Sequence, residues 1–511
     1  QVMLHRIKEA QKRGAKLIVI DPRQEGLGKI ADWWIPITPG SDGALALAML
    51  KLIIDSGRYD HEFIEKYTRG FEEFKAYLDT QIMEQLSKWC GISVTDIEKL
   101  TDIFCSTAKI PLVAYTGLEY QLSAIQNNRA IFVLWAITGK LDAPGAIYLN
   151  AKGLETPKLF EIPEDDKPIG VDEFPLFYKF SGQGQFSRFP KAVLEDEPYP
   201  VRGLMILGGS PVLSFPDSKS WREAYKKLDC LIVLDRYFTE DARYADVVFP
   251  ACSLFEVPKA VPGPEGPHIV EPLIEPVGES KNDVLIMGAI AKKLGFGDKL
   301  PQTEEELRSW LLSGTAPYAG DFGTSADQKK EKHYKKYETG ELRADGKPGF
   351  PTPSGKLEIC STILEENGFV PYPEYKDVRS IPELAGKEYP FTMTSGARSN
   401  NRMGVFGANL DKIAEIEPYP FVDINAEDAK EIGIEDGDMV KVITPFADGT
   451  FKAKIRGIAR HAIHIPHGGG SAYMAEPWKN GNVNDLCSLD YADPMTGFVL
   501  IKSVPCRVEK V

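Results

Sequence analysis

Two aspartates that each follow an apolar stretch have the residue type and the spacing to bind a ligand. Asp21 follows Leu-Ile-Val-Ile at 17–20, and Asp235 follows Leu-Ile-Val-Leu at 231–234. Continuous apolar stretches of this length are typical of strands in a parallel sheet that is covered on both faces. In such sheets ligands bind beyond the carboxyl ends of the strands, where both aspartates would lie. A carboxylate there can accept hydrogen bonds from a ribose or from the donor edge of a guanine.

The two aspartates belong to an internal duplication. Residues 17–36 read LIVIDPRQEGLGKIADWWIP and residues 231–250 read LIVLDRYFTEDARYADVVFP, with seven of the twenty positions identical. A segment with helical character precedes each copy, at 1–13 and at 219–228. The repeat predicts two equivalent units, and therefore two nucleotide-like ligands or one ligand with two nucleotide arms. The simpler alternative is that each aspartate only caps a turn.

A second polar motif, Gly40-Ser41-Asp42, lies between a predicted strand at 33–37 and a helix that we expect to begin near Gly43. Ser41 or Asp42 would be the N-cap of that helix. The exposed amides of a helix N-terminus can hold a phosphate. Read by itself, the motif favours capping alone.

Composition narrows the classes of partner. The formal net charge of −14 argues against nucleic acid or an anionic membrane as the main partner. No apolar run reaches the length that a membrane span needs, so we expect no direct membrane span. The seven cysteines form no C-x-x-C pair and no zinc or iron–sulfur spacing, which indicates isolated thiols.

The chain changes character along its length. Residues 150–200 and 254–282 read as loops, and 316–350 as a polar, mobile stretch. From residue 388 short strands alternate with turns, and one short helix fits 425–433, so we expect a closed six-stranded barrel. Five of its strands are predicted at Phe391–Thr394, Phe421–Ile424, Met439–Ile443, Phe451–Ile455 and Ala462–Ile465.

These patterns predict an α/β fold of two duplicated parallel-sheet nucleotide-binding units followed by a barrel. The expected domains are a truncated α/β unit at 1–145, a second α/β unit at 146–385 and the barrel at 388–511. The first helix leads into a parallel strand with no strand before it, which is the second half of a β-α-β crossover. We therefore expect further residues upstream of Gln1.

Motifs in order along the chain resemble molybdopterin oxidoreductases of the dimethyl sulfoxide reductase superfamily, which bind bis-molybdopterin guanine dinucleotide. They are GAKLIVIDPR at 14–23, YADVVFPA at 244–251, GESKNDVLI at 278–286, TPSGKLE at 352–358 and INAEDAKEIGIEDGDMVKV at 424–442. The last resembles the signature of a double-psi barrel. Two further stretches, at 352–369 and 465–468, look closer to acetylene hydratase and to thiosulfate and polysulfide reductases.

The resemblance implies a set of cofactor-binding residues. One guanosine diphosphate arm would be held by Asp21, Pro22, Arg23, Gly40, Ser41 and Asp42. The other arm would be held by Ser210, Asp235 and Asp283, although many relatives have asparagine in place of Ser210. Thr116 and Gly117 match a turn that contacts a pterin. Residues that match positions closing over the pterins are Gly396, Arg398, Asn484 and Lys502.

The resemblance also implies what the chain does. The cofactor would carry molybdenum or tungsten, with the side-chain ligand of the metal and any [4Fe-4S] cluster upstream of Gln1, so no metal ligand or catalytic residue is assigned here. The implied function is the catalytic subunit of an oxidoreductase that performs a two-electron or atom-transfer reaction on a small substrate and passes electrons to an iron–sulfur subunit.

Two alternative functions stay open, and a third is disfavoured. One is a non-redox hydratase of the acetylene hydratase type, in which the metal only activates water or substrate. Another is a cofactor-free structural subunit like the large iron–sulfur subunit of respiratory complex I. A nicotinamide dehydrogenase is disfavoured, because no G-x-G-x-x-G follows either strand. His464 and His467 flank the 465–468 motif, but a lone histidine is more often structural.

Overall fold

The computed structural model describes residues 2–150, 167–261, 267–313, 333–397 and 411–511. Arg398, which the resemblance places over a pterin, lies outside these ranges. Within them no helix is long and apolar enough to cross a membrane.

The first unit begins with helix α1 (Val2–Lys12), which leads into strand β1 (Ile18–Ile20) and its parallel partner β2 (Trp33–Ile35). Helix α2 (Asp42–Asp55) is the centre of this unit, because its apolar residues are buried on nearly every side. Around it lie the short strand β3 (Thr68–Arg69) and helices α3 (His61–Tyr67), α4 (Phe71–Asp79), α5 (Met83–Cys90), α6 (Val94–Ser106) and α7 (Ala124–Ile137).

The second unit contains a three-stranded parallel sheet of β4 (Gly203–Leu207), β5 (Cys230–Asp235) and β6 (Val247–Pro250). Its helices are α8 (Pro175–Ser181), α9 (Phe189–Glu195), α10 (Pro211–Ser214), α11 (Ser218–Lys227), α12 (Asp283–Lys293) and α13 (Glu304–Leu312). Strands β7 (Lys259–Val261) and β8 (His268–Val270) form an antiparallel pair. The loop predictions for 150–200 and 254–282 are therefore wrong at α8, α9 and this strand pair, whose segments are too short to show a clear period.

The predicted duplication is confirmed by the strand register. Val19 pairs with Trp34 in the first unit, and the equivalent Val233 pairs with Val248 in the second. The aspartate just before the second strand of each copy makes the same contact. In the first copy Asp32 Oδ2 accepts the Leu17 N–H at 2.9 Å. In the second copy Asp246 Oδ2 accepts the Leu231 N–H at 2.7 Å. The two units therefore share local geometry as well as sequence.

The chain returns to the first unit after residue 333. Strand β9 (Leu357–Glu358) pairs with β3, and Arg129 of α7 donates to the carbonyls of Ile359 and Pro371, both at 2.8 Å. Helices α14 (Lys336–Thr339) and α15 (Thr362–Glu366) lie in this segment. The described part of the predicted mobile stretch is packed, since Tyr337 and Phe350 are buried there. The three predicted domain ranges stay predictions.

The C-terminal part is a closed six-stranded barrel, as predicted. Its strand order is β10-β14-β11-β13-β12-β15. The strands are β10 (Phe391–Ser395), β11 (Phe421–Ile424), β12 (Met439–Ile443), β13 (Asp448–Ile455), β14 (Ala462–Ile465) and β15 (Val504–Lys510), and the helices are α16 (Asp411–Ile416), α17 (Ala426–Glu431) and α18 (Glu476–Lys479). The sixth strand, β15, closes the barrel by pairing with both β10 and β12.

The barrel contacts both units beyond the carboxyl ends of their strands. In the first unit the Gln24 N–H donates to the Gly457 carbonyl at 2.9 Å, and the Ala459 N–H donates to the Pro22 carbonyl at 2.8 Å. Toward the second unit, Asn484 of the barrel donates through Nδ2 to the carbonyl of Leu213 at 2.7 Å. The strand ends that carry Asp21 and Asp235 therefore open toward the same barrel.

Candidate nucleotide-binding crevices

A pair of carboxylates lies at the carboxyl end of β1. Asp21 follows the strand directly, and its Oδ1 accepts the Arg23 N–H at 2.8 Å. Asp42 is the first residue of α2, and Gln121 Nε2 lies 3.3 Å from its Oδ2. Burial raises the pKa of Asp21, and burial together with the nearby Asp21 carboxylate raises the pKa of Asp42 to about 6. The first unit thus keeps two carboxylates close together with few protein partners.

The second unit repeats this arrangement. Asp235 ends β5, and its Oδ1 accepts the Tyr237 N–H at 3.0 Å, which matches the contact between Asp21 and Arg23. Asp283 is the first residue of α12. Burial raises the pKa of both carboxyls, and the Asp235 charge raises that of Asp283 further. Each unit therefore pairs a strand-end aspartate with an aspartate in the first turn of a helix.

Because burial disfavours the charged form of the Asp42 carboxyl, the free energy of unfolding should depend on pH. Because the pKa of this carboxyl is raised above the unfolded value of about 3.9, the folded protein loses stability as the pH rises through 4 to 6, and the loss is complete above that window. Asp42→Asn should raise the free energy of unfolding by roughly 1–2 kcal/mol at pH 8 and by little at pH 4, measured by denaturant unfolding. Asp55→Asn, at the exposed end of the same helix, is the matched control. An equal gain at both pH values would contradict the assignment.

The N-terminus of α2 is shaped for close approach. Gly40 has a φ of +86°, and a Cβ atom there would lie 2.6 Å from the Ser503 Cβ of the barrel, so only glycine fits. Ser41 occupies the N-cap position, but its hydroxyl donates to the Thr38 carbonyl at 2.7 Å and makes no side-chain cap hydrogen bond. The first amides of α2 are therefore left without the usual side-chain cap.

Gln121 connects the predicted pterin turn to Asp42. Thr116 and Gly117 begin a short 3₁₀ turn, and the Gly117 carbonyl accepts Gln121 Nε2 at 2.7 Å. Asn127 Nδ2 in turn donates to Gln121 Oε1 at 2.6 Å. The sequence pattern did not indicate these two amides, because Gln121 lies in the short turn before α7 and Asn127 lies within α7, and neither belongs to a recognisable motif.

Lys502 and Gly396 meet at the edge of the barrel. The Lys502 ammonium donates to the Ser395 carbonyl, and a side chain at Gly396, where φ is +100°, would collide with that ammonium. Burial lowers the pKa of Lys502, while the Asp21 carboxylate opposes that shift. Lys502 therefore lies within the electrostatic reach of Asp21. The contact of Lys502 with a pterin and that of Asp21 with a guanosine diphosphate arm stay predictions.

Two predicted cofactor residues, Ser210 of the second unit and Asn484 of the barrel, are engaged within the protein. The Ser210 hydroxyl donates to the carboxylate of buried Asp241, which also accepts the Tyr225 hydroxyl at 2.8 Å. The side-chain amide of Asn484 donates to Leu213, as described above. Both residues hold the segment that follows β4, and their contact with a cofactor stays a prediction. Asp241 was missed because its partners are distant in sequence.

A buried polar cluster joins the first unit to the barrel. Asp423 of β11 lies against His464 of β14, with 3.1 Å between Oδ2 and Nδ1, and against Arg23, with 3.5 Å between Oδ2 and Nε. Burial lowers the pKa of His464 to about 4. His464 was noted in the sequence only because it flanks the motif at 465–468, and no sequence pattern indicated Asp423.

The described residues contain no group of three or more histidine, cysteine or acidic side chains that could hold a metal ion. All seven cysteines are free thiols. Burial raises the pKa of Cys90 to about 11 and that of Cys487 to about 12, so these thiols are poor thiolate ligands.

The family comparison identifies the class of protein. The family described as molybdopterin oxidoreductase matches residues 1–293, and the molydopterin dinucleotide binding domain matches residues 392–505. The chain belongs to the molybdopterin oxidoreductase family, which confirms the predicted membership.

Relatives in this family carry several different names. The probable oxidoreductase YoaE of Bacillus subtilis is 29% identical over 85% of this chain and 62% of its own length. Acetylene hydratase of Syntrophotalea acetylenica is 27% identical over 90% and 67%, and the assimilatory nitrate reductase catalytic subunit of Bacillus subtilis is 27% identical over 96% and 70%. The chain therefore spans about two thirds of the length of these relatives.

A solved structure shows the same fold. Acetylene hydratase from Pelobacter acetylenicus aligns with a TM-score of 0.83 at 24% identity, over 100% of this chain and 76% of that chain. The similarity extends through both α/β units and the barrel, since it covers the whole chain.

Proposed function

We propose that the chain binds two molybdopterin guanine dinucleotides with molybdenum or tungsten, as the larger part of a catalytic subunit. The observation that carries this proposal is the repeated pair of carboxylates, Asp21 with Asp42 and Asp235 with Asp283, at two strand ends that face one barrel. A carboxylate accepts the paired donors of a guanine edge or the hydroxyls of a ribose. Two matched sites suit one nucleotide arm each.

Buried polar atoms near the N-terminus of α2 and in the barrel lack a hydrogen-bond partner. They include Asn127 Oδ1, Ser395 Oγ and His464 Nε2. An unsatisfied buried polar group costs about 1–3 kcal/mol, so a cluster of them favours a bound group that supplies partners. Together with the Lys502 ammonium and the uncapped amides of α2, these atoms suit a polar, anionic cofactor.

The chain's own residues would bind and orient that cofactor. Asp21 and Asp42 would accept hydrogen bonds from the first guanosine, and the uncapped amides of α2 would face its phosphates. Asp235 and Asp283 would hold the second guanosine. Lys502, held beside Gly396, would supply a cation toward the first pterin. When bound, the cofactor would hold the metal through dithiolene sulfurs and supply the two-electron chemistry.

A redox or atom-transfer reaction on a small substrate is the leading assignment. The side-chain ligand of the metal and a [4Fe-4S] cluster would belong to sequence that the longer relatives have outside the matched region, and an iron–sulfur subunit would accept electrons. A hydratase activity is the second candidate, and the name of the Syntrophotalea relative is the observation that favours it. A cofactor-free structural role is disfavoured, because such a protein has no need for two matched carboxylate pairs, and the charges of Asp42 and Asp235 lie in surroundings that raise their pKa.

Analysis of the nucleotides that the purified protein carries tests the proposal. Protein from cells supplied with molybdate and tungstate is acid-hydrolysed, and we expect about two guanine nucleotides per chain by liquid chromatography and mass spectrometry. Cytosine or adenine nucleotides in their place, or none at all, would contradict the cofactor assignment. Dye-linked turnover separates the two reactions, since hydration that needs no electron acceptor would contradict the redox assignment.

A further inference from the structure

Asp423 is a buried carboxylate on which three nitrogen groups converge. Arg23 Nε lies 3.5 Å from Oδ2, Arg456 Nε lies 3.2 Å from Oδ1, and His464 Nδ1 lies 3.1 Å from Oδ2. Asp423 and His464 belong to neighbouring barrel strands, whereas Arg23 comes from the loop after β1. The barrel therefore reaches across to the guanidinium of one residue in the first unit.

His464 does not supply a charge in this cluster. Because burial lowers its pKa to about 4, the ring is neutral at pH 7, and the proton that it donates to Asp423 resides on Nδ1. The charge of Asp423 is then balanced by Arg23 and Arg456 alone. His464 contacts the same oxygen, Oδ2, as Arg23 and fixes the carboxylate without adding a positive charge.

Arg23 is held at one end of its guanidinium only. Its Nε is buried and forms an ion pair with Asp423 Oδ2 at 3.5 Å, without a hydrogen bond, while the side chain keeps 20% of its surface exposed. Among the described residues, no hydrogen bond is made by either terminal nitrogen of Arg23, Nη1 or Nη2. A guanidinium fixed at Nε with two terminal donors unused matches the geometry of a phosphate group.

The backbone of the Arg23 loop is fixed independently. Gln24 and Pro22 each exchange a backbone hydrogen bond with the barrel, and Glu25 pairs with Arg456 at 3.1 Å. The loop therefore does not need Asp423 to keep its path. What Asp423 determines is the direction of the Arg23 side chain.

We propose that Asp423, supported by His464, is a positioning residue that aims the terminal nitrogens of Arg23 at the diphosphate of the first nucleotide arm. This inference rests on the proposed function, because it assumes that a guanosine diphosphate group occupies the first crevice. Asp423 would act through Arg23 and would not touch the ligand itself. Its effect should therefore depend on the phosphates and vanish when Arg23 is changed.

A double-mutant cycle with GDP and guanosine as probes tests this. The calorimetric titrations use protein produced free of the cofactor, and the first crevice is the site of Asp21, Arg23 and Asp42. Arg23→Gln should weaken GDP binding there about tenfold, and Asp423→Asn by a factor of about five to ten. The double variant should lose no more affinity than Arg23→Gln alone. Guanosine affinity should be unchanged in all three. Glu25→Gln is the matched control, since Glu25 belongs to the same loop and contacts Arg456, and it should bind GDP as the wild type does.

The possible results distinguish a failure of the proposed function from a failure of the role proposed for Asp423. Wild-type protein that binds no GDP would overturn both the proposed function and this inference. GDP binding that is unchanged in Asp423→Asn, additive losses in the double variant, or an equal loss of guanosine affinity would overturn this inference alone. GDP binding at the second crevice reports whether each variant is folded. If Asp423→Asn loses that binding, Arg23→Lys replaces it, and this lysine variant should weaken GDP binding and leave guanosine binding unchanged.

Discussion

Asp142→Ala should lower the free energy of unfolding by about 3–5 kcal/mol, the largest effect on stability that we expect from one substitution. Asp142 and Lys336 are both buried, and 2.5 Å separates Oδ1 from the ammonium. Asp142 also accepts the Lys336 N–H at 2.7 Å and the Leu149 N–H at 3.2 Å. The variant would leave a buried ammonium with no counter-charge and only the His333 carbonyl as an acceptor. It would also leave two amides without an acceptor and would loosen the segment that returns to the first unit.

Two controls identify the cause of this loss. The double variant Asp142→Leu with Lys336→Met removes both charges and should be less destabilised than Asp142→Ala alone. Glu62→Ala breaks an exposed pair with Lys66 and should change the unfolding free energy by less than about 0.5 kcal/mol. Denaturant unfolding measures all of them. A loss below about 1 kcal/mol in Asp142→Ala would show that the buried pair does not anchor this segment.

Asp235→Asn should weaken GDP binding at the second crevice by about 10- to 100-fold while the protein stays folded. A charged acceptor for two guanine or ribose donors contributes roughly 1.5–3 kcal/mol of binding free energy. Asparagine keeps an oxygen that can accept the Tyr237 N–H. Because burial raises the pKa of Asp235, removing its charge should not destabilise the fold.

Asp246→Asn is the matched control for this prediction. Asp246 lies on the neighbouring segment of the same duplicated unit, but its carboxylate accepts the Leu231 N–H at the amino end of β5, away from the crevice. We expect it to reduce stability and to leave GDP affinity unchanged. Equal GDP binding by Asp235→Asn and wild type would remove Asp235 from the site.

Sequence reasoning predicted the fold where the determinants are local. Strands β11, β12 and β14 have the predicted bounds, because each is a short, mostly apolar segment between turns. Strand β15 was not located in advance, since its residues pair with β10 and β12, both distant in the chain. The tight packing of 333–350 was hidden for the same reason, as its ion-pair partner Asp142 lies far upstream.

The residues of the candidate site also differ in whether local sequence predicts them. Asp21 and Asp235 could be predicted because an apolar strand, the aspartate and the repeat occur together in one segment. Asp42 could be predicted because it begins a helix. Partners that complete the crevices, such as Gln121 and Asp423, come from elements that only the fold brings together. Local pattern gives no signal for such contacts.

Counting the nucleotide sites of the chain tests most directly whether it has two separate nucleotide-binding crevices. Calorimetric titration of the wild-type chain, produced free of the cofactor, with GDP should give two sites per chain, and Asp21→Asn and Asp235→Asn should each retain one. The variant with both substitutions should retain neither. A wild-type stoichiometry of one or zero, or a single substitution that abolishes both sites, would contradict the claim that the duplication built two separate nucleotide-binding crevices.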